Sequence, residues 1–174
     1  AYALPNMRRH GPECLRRARQ AGLTTSVDTG WDKRGEWMQV LGPCLPWTDL
    51  LFVNGEEARM LTGEATPAAA ARVFRDRGAR TVAVKLGAAG CVVFDDWGQL
   101  PVSGFAVEPV DSTGAGDCFA GGFLAGLDRG LPIEECARLA NAAGALSVSR
   151  LGAVAGLLGY EDTLAWMAAA GAVR

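Results

Sequence analysis

The stretch that most constrains the fold of this chain runs from Asp111 to Gly122 and has the sequence Asp-Ser-Thr-Gly-Ala-Gly-Asp-Cys-Phe-Ala-Gly-Gly. Small residues are followed by apolar residues at helical spacing, which predicts a helix that starts at about Gly114 or Ala115. The first N–H groups of a helix have no partner within it, and with the helix dipole they suit an anion such as phosphate. Gly114 and Gly116 lack a Cβ, so such an anion could approach the main chain directly.

Asp117 lies in the first turn of this predicted helix. A catalytic interpretation is that its carboxylate accepts a proton from a hydroxyl group that attacks phosphorus. The structural alternative is an acid that the helix dipole stabilises at the start of a core helix. Three further glycines in the helix each cost about 1 kcal/mol relative to alanine. They predict close packing against another element or a ligand, and they are Gly121, Gly122 and Gly126.

Length and composition predict a single globular domain over residues 1–174. Hydrophobic residues make up 49% and charged residues 21%, a balance typical of soluble proteins. The net charge of −2 offers no basic field for nucleic acid or an anionic membrane, and no apolar run reaches the ~18 residues of a membrane span. The five scattered cysteines contain no Cys-x-x-Cys pair, which favours a reducing cytoplasm over a disulfide framework or a zinc site.

Helical and strand patterns alternate along the chain, with glycines between them. This order is typical of an α/β fold, and we predict a mostly parallel sheet with helices on both faces. Ligands of such sheets bind at the carboxyl ends of the strands, which is where Asp28 and Asn54 stand. The predicted helices are 13–20, 58–61, 68–77, 115–129, 133–149 and 160–170. The predicted strands are 23–27, 49–53, 81–86, 91–94, 99–102 and 105–107.

The string from Asp111 to Gly122 resembles the C-terminal signature of the ribokinase-like (PfkB) family of sugar and nucleoside kinases. The resemblance implies an ATP-dependent sugar kinase that moves the γ-phosphoryl group of Mg-ATP to a carbohydrate hydroxyl. It also implies that Asp117 is the catalytic base, next to the hydroxyl of the substrate. The N–H groups of the anion hole would come from Gly114, Ala115 and Gly116.

Asn54 and Glu57 follow a predicted strand at the spacing of a helix capping box, so they could serve only to start a helix. In the family, an Asn-x-x-Glu directly after a strand lies near the magnesium and the phosphates. The resemblance therefore implies that Glu57 binds Mg²⁺ through water and that Asn54 contributes beside it. The two interpretations are compatible, because a cap at the carboxyl end of a strand faces the ligand edge of the sheet.

The resemblance implies that four further residues border the nucleotide: Lys85, Gly87, Asn141 and Gly152. Lys85 stands where ribokinases commonly have a small hydroxyl residue, and it could pair with phosphate or point to solvent. Asn141 is a weak helix former in the middle of a predicted helix, so it needs a partner or exposure. The family places an asparagine here against the base, and a solvated or locally bonded side chain is the alternative.

The resemblance also implies a monovalent cation such as K⁺, held by Asp111 and the main chain at Thr113. Gly156 departs from this pattern, because ribokinase has a serine at the matching position.

The resemblance covers the chain but only the C-terminal portion of a family member. The N-terminal strands, the Gly-Gly motif and the β lid of the relatives have no counterpart here, so we expect a poor kinase unless another chain supplies that half. An exposed sheet edge would also favour a homo-oligomer. The rival hypothesis is a non-catalytic remnant that binds nucleotide or associates with itself. A dinucleotide-binding oxidoreductase and a P-loop enzyme are disfavoured, because neither glycine motif is present.

Overall fold

Three short parallel strands form the centre of the first part of the chain in the computed structural model, which describes residues 4–170. They are β1 (Ser26–Asp28), β2 (Leu50–Asn54) and β3 (Thr81–Lys85). The register places Asp28 of β1 opposite Phe52 of β2, and Asn54 of β2 opposite Lys85 of β3. β2 is the central strand of these three, and four of its five residues are buried. The carboxyl ends of the three strands therefore lie along one edge.

Two more strands, β4 (Cys91–Asp95) and β5 (Gly98–Val102), complete a five-stranded mixed sheet in the order β1-β2-β3-β4-β5. The predicted α/β class, with a sheet flanked by helices, is confirmed. The described residues divide into a first compact unit, 4–85 with 92–99, and a second, 86–91 with 100–170. The prediction of one domain over residues 1–174 stays a prediction.

Two of the four helices of the first unit were predicted from the sequence patterns, one starts earlier than predicted, and the short helix at 38–41 was not predicted. They are α1 (Pro5–Gln20), α2 (Met38–Leu41), α3 (Gly55–Thr62) and α4 (Pro67–Asp76). The predicted start of α1 at residue 13 was wrong, because the helix begins about two turns earlier, with a proline at its first position. Met7, Gly11 and Leu15 are spaced by four residues on one helix face, and Gly11 is buried. Buried Gly11 shows that the arginine-rich turn packs against the protein, although Met7 is 42% exposed.

The second unit is mainly helical. Its helices are α5 (Ala115–Asp128), α6 (Ile133–Val148) and α7 (Tyr160–Ala170). The predicted strand at 105–107 is wrong, because this segment belongs to no helix or strand. Phe105 is instead buried against Leu139 and Met167, and its ring lies 5.1 Å from that of Trp166. Because two helices bury the apolar side chain of Phe105, this segment is stabilised without strand pairing.

Two of the three glycines inside α5 are required by its packing against α6. A Cβ on Gly122 would lie 3.0 Å from the Cα of Ala140, and one on Gly126 would lie 3.0 Å from the Cα of Cys136. The predicted close packing is therefore confirmed for these two positions. Gly121 differs, because a Cβ there would have no neighbour within 4 Å.

Among the helices of residues 4–170, none combines the length and the apolar character that a bilayer-spanning segment requires. The cytoplasmic location stays a prediction.

Candidate active site

The start of α5 has the open geometry that its glycine-rich sequence predicts. Gly114 precedes the helix with φ +77°, and the first regular helical bond runs from Cys118 N to Gly114 O at 2.9 Å. The N–H of Ala115 makes one long bond of 3.3 Å, to Ser112 O. The N–H groups of Gly116 and Asp117 precede this first regular helical bond, as expected for a helix start. Gly114, Ala115 and Gly116 are only partly buried, so their amides can meet a ligand.

Asp117 is exposed in the first turn of α5. The buried face of the same helix begins directly after it, with Cys118, Phe119 and Ala120. The carboxylate therefore does not belong to the core, and it stands beside the amides that precede the first helical bond. This arrangement fits a group that exchanges a proton with a bound molecule.

The loop around residue 153 packs directly on the start of α5. A Cβ on Gly114 would lie 2.7 Å from the Cβ of Ala153, and the positive φ of Gly114 is itself unfavourable for other residues. The thiol of Cys118 donates to the carbonyl of Ala153 at 3.2 Å. Gly114 is thus required by this loop contact, independently of any ligand.

The Asp111 carboxylate ties two loops of the second unit together. Its Oδ1 accepts the N–H of Thr113 at 2.9 Å, and its Oδ2 accepts the N–H of Gly152 at 2.9 Å. The Thr113 hydroxyl, followed by these two amides, holds the pKa of Asp111 below its ordinary value of 3.8. These three donors leave one lone-pair position of the carboxylate for a cation.

The surroundings of Gly156 explain why this chain has glycine where ribokinase has a serine. A Cβ at this position would overlap the carbonyl oxygen of Leu146, at the end of α6. A serine therefore cannot replace Gly156 here without moving the loop away from the helix.

Asn141 of α6 is bonded within the protein. It is 7% exposed, and its NH₂ group donates to the carbonyls of Val102 and Ser103, both at 3.1 Å. These partners are far away in sequence, so the side chain is neither solvated nor locally bonded. Gly87 lies in a short 3-10 turn with φ +60°, and a Cβ there would have nothing within 4 Å. Neither residue is connected by these contacts to the start of α5.

Asn54 and Glu57 of the first unit form the complete capping box of α3. Asn54 Oδ1 accepts the N–H of Glu57 at 2.8 Å, and Glu57 Oε2 accepts the N–H of Asn54 at 3.3 Å. The structural interpretation of the Asn-x-x-Glu spacing is thus confirmed, and Glu57 is only 7% exposed. Its role toward magnesium stays a proposal.

Lys85 does not extend into solvent. Its Nζ lies 2.7 Å from Oδ1 of Asp28, and its side chain is 13% exposed. β2 lies between the strands of these two residues, so the lysine reaches over the carboxyl end of the central strand. The lysine is therefore held near Asn54, its register partner on that strand.

Thr29 is the residue at this edge that sequence reasoning missed. It follows β1 directly and its hydroxyl donates to Glu57 Oε2 at 2.6 Å. Its position directly after the strand-end aspartate Asp28 could have indicated it, because the carboxyl ends of neighbouring parallel strands meet at one edge of the sheet. A threonine in a glycine-containing loop has no distinguishing pattern of its own.

The loop after Thr29 is organised by Asp32, whose side chain is 1% exposed. Its carboxylate accepts N–H groups of Arg34 at 3.1 Å and of Trp37 at 2.7 Å, and it pairs with Arg8 at 3.1 Å. Burial raises the pKa of this carboxyl, but the backbone bonds and Arg8 outweigh it, so that the pKa lies below its ordinary value of 3.8.

We expect Asp32→Asn to destabilise the protein by about 2 kcal/mol at pH 7, because buried donors lose an ionised partner. The folded pKa is depressed, so ionised Asp32 stabilises the fold fully above its unfolded pKa of about 3.8. The contribution is lost as the pH falls through the folded value. Urea denaturation at pH 7 and pH 3 should therefore show a smaller difference from wild type at pH 3. The matched control is Asp76→Asn, at an exposed position, and a pH-independent difference for Asp32→Asn would contradict the assignment.

Among the described residues, no cluster of three or more His, Cys, Asp or Glu side chains could hold a metal ion without other ligands. Magnesium commonly uses one or two carboxylates, water and substrate phosphates, so a single carboxylate such as Glu57 fits that chemistry.

Comparison with known proteins identifies the family. Residues 5–158 match the model of the pfkB family carbohydrate kinases. The chain belongs to the pfkB family. The cytidine kinase of Thermococcus kodakarensis is 44% identical over 128 residues, which cover 70% of this chain and 45% of that protein.

Two solved structures of kinases agree with this assignment. Aminoimidazole riboside kinase from Salmonella enterica, complexed with aminoimidazole riboside and an ATP analogue, superposes with a TM-score of 0.81 at 28% identity. That superposition covers 90% of this chain and 56% of the other. Fructokinase from Vibrio cholerae, with fructose, ADP and calcium bound, gives a TM-score of 0.79 at 28% identity over 88% of this chain and 53% of the other. The chain thus spans about half the length of these relatives.

Proposed function

We propose that this chain supplies the ATP-binding and catalytic part of a kinase that phosphorylates a sugar or nucleoside hydroxyl. The observation that carries the proposal is the exposed Asp117 beside the open amides at the start of α5. The riboside kinase with its bound ATP analogue and the fructokinase with bound ADP support ATP as the phosphoryl donor.

In the proposed reaction, the amides of Gly114, Ala115 and Gly116 bind the oxygens of the transferred phosphoryl group. The partial positive charge of the α5 N-terminus stabilises the negative charge on those oxygens. Since phosphoryl transfer depends almost wholly on positioning and electrostatics, donors fixed by a helix are well suited to it.

Asp117 is proposed as the base. Its carboxylate accepts the proton of the substrate hydroxyl as the hydroxyl oxygen bonds to phosphorus and the bond to the leaving ADP oxygen breaks. An exposed carboxylate in the first helical turn can reach a substrate without disturbing the core of the second unit.

Glu57 and Asn54 are proposed to organise magnesium through water. When bound, magnesium neutralises charge on the phosphate oxygens. The carboxylate of Glu57 fits this role because the capping box and Thr29 hold it in one orientation.

Four residues are proposed to border the nucleotide: Lys85, Gly87, Asn141 and Gly152. Lys85 would either leave Asp28 and bond a phosphate oxygen, or bond both of them at once. The NH₂ group of Asn141 is committed to carbonyls at residues 102 and 103, so we propose that it shapes this loop beside the base. A potassium ion is proposed at Asp111 and the main chain of Thr113, where a carboxylate oxygen retains a lone pair.

The test pairs calorimetric titration of an ATP analogue, with and without Mg²⁺, with a phosphorylation assay. The assay would use ribose, fructose and cytidine, in K⁺ and in Na⁺. We expect magnesium-dependent nucleotide binding by this chain. We expect catalytic turnover by the longest natural polypeptide that contains this sequence. Binding without turnover in that polypeptide would support the rival hypothesis of a non-catalytic remnant, and absence of binding would reject the proposal. Dependence on a complementary half and self-association are separate predictions, to be tested by mixing and by sedimentation.

A further inference from the structure

Thr29 holds the carboxylate of Glu57 by the shortest hydrogen bond at this edge of the sheet. Its hydroxyl donates to Oε2 at 2.6 Å, in the range of charge-assisted O–H···O⁻ bonds. The same oxygen accepts the N–H of Asn54 at a longer 3.3 Å. Glu57 is 7% exposed, so its orientation depends on these two donors rather than on water.

The position of the Thr29 hydroxyl is itself set by the sheet. The N–H of Thr29 donates to Phe52 O at 3.0 Å, which extends the β1–β2 ladder by one residue beyond Asp28. The hydroxyl is 3.2 Å from the same carbonyl, at a distance less favourable than that to Glu57. The Thr29 hydroxyl is thus positioned by strand pairing and not by a freely moving loop.

The two oxygens of Glu57 are not equivalent. Both donors bond Oε2, and neither bonds Oε1. Oε1 is also not among the buried side-chain atoms of the described residues that lack a hydrogen bond. One oxygen of Glu57 is therefore anchored by two donors, while the other bonds neither of them and is not a fully buried, unbonded atom.

We propose that Thr29 is a positioning residue for magnesium. Its hydroxyl anchors Oε2 of Glu57, so that Oε1 accepts a hydrogen bond from a magnesium-bound water in a fixed direction. This inference rests on the proposed function, and it adds a residue to which the capping-box motif does not point. Groups that orient a metal-binding carboxylate change metal affinity by about 10–100-fold when they are removed.

The test measures the affinity for adenylyl imidodiphosphate by calorimetry in Mg²⁺ and in EDTA. We expect Thr29→Val to weaken binding about tenfold in Mg²⁺, at the lower end of that range, and to leave binding in EDTA unchanged. Thr29→Ser retains the hydroxyl and should stay close to wild type. Thr29→Ala is measured alongside, so that a packing fault specific to valine is recognised. Thr62→Val is the matched control, because its hydroxyl bonds only within and just after α3.

The outcomes separate this inference from the proposed function. If wild type lacks magnesium-dependent binding, both are rejected. If wild type has it and Thr29→Val and Thr29→Ala match the control, only the role of Thr29 is rejected. An equal loss in Mg²⁺ and in EDTA, or a loss in Thr29→Ser as large as in Thr29→Val, would show a merely structural residue and would also overturn the inference.

Discussion

Asp117→Asn is expected to lower kcat by about 10²–10⁴-fold, the contribution typical of a positioned general base. Asparagine keeps the size of the side chain but cannot accept the substrate proton. The α5 amides remain in place, so the affinity for ATP should change little. Steady-state kinetics in the longest active polypeptide that carries this chain would measure both quantities.

The matched control for that experiment is Asp128→Asn, an exposed aspartate at the last residue of the same helix. It makes the same chemical change far from the helix start and should leave kcat near that of wild type. An unchanged kcat in Asp117→Asn would reject the base assignment. A large loss of ATP affinity with kcat retained would instead assign Asp117 to nucleotide binding.

Gly122→Val is expected to destabilise the second unit by about 2–3 kcal/mol, toward the upper end of typical overpacking costs. Even a single Cβ there would lie 3.0 Å from the backbone of α6, at Ala140 Cα and Leu139 O. Backbone atoms of a packed helix cannot move aside as a flexible side chain can, so the two helices must separate. Thermal denaturation should show this as a lower midpoint.

Gly121→Val is the matched control, one residue earlier on the same helix. A Cβ at Gly121 would meet nothing within 4 Å, and valine has a somewhat better helix propensity than glycine. Its stability should therefore equal or slightly exceed that of wild type. Equal effects of the two substitutions would show that helix propensity, and not the α5–α6 contact, governs this helix.

Features that depend on neighbours in sequence were predictable. The helix start at Ala115 follows from glycines ahead of an apolar helical pattern, and the capping box follows from Asn54 and Glu57 three residues apart. The short apolar run at 49–53 predicted the buried central strand within one residue. For the helix start and the capping box the decisive interaction spans four residues or fewer, and for the strand the apolar run itself is local, so the order of residue types carries the information.

The same local rules failed where burial decided the outcome. The segment 105–107 has a strand-like composition, yet Phe105 packs against α6 and α7. Helix α1 starts at Pro5 and includes the buried Gly11, in an arginine-rich stretch that has no clear local period. Composition alone could not distinguish these cases from a strand and from an irregular segment.

The sequence by itself determined the α/β class, the glycine-rich start of α5 and the identity of the residues that could do chemistry there. Only the tertiary structure decided their partners: Lys85 with Asp28, Glu57 with Thr29, and Asn141 with the carbonyls at 102 and 103. These partners lie between 28 and 57 residues apart along the chain. Their meeting depends on strand register and helix packing, which no local pattern encodes, because contacts across a sheet are set by the whole fold.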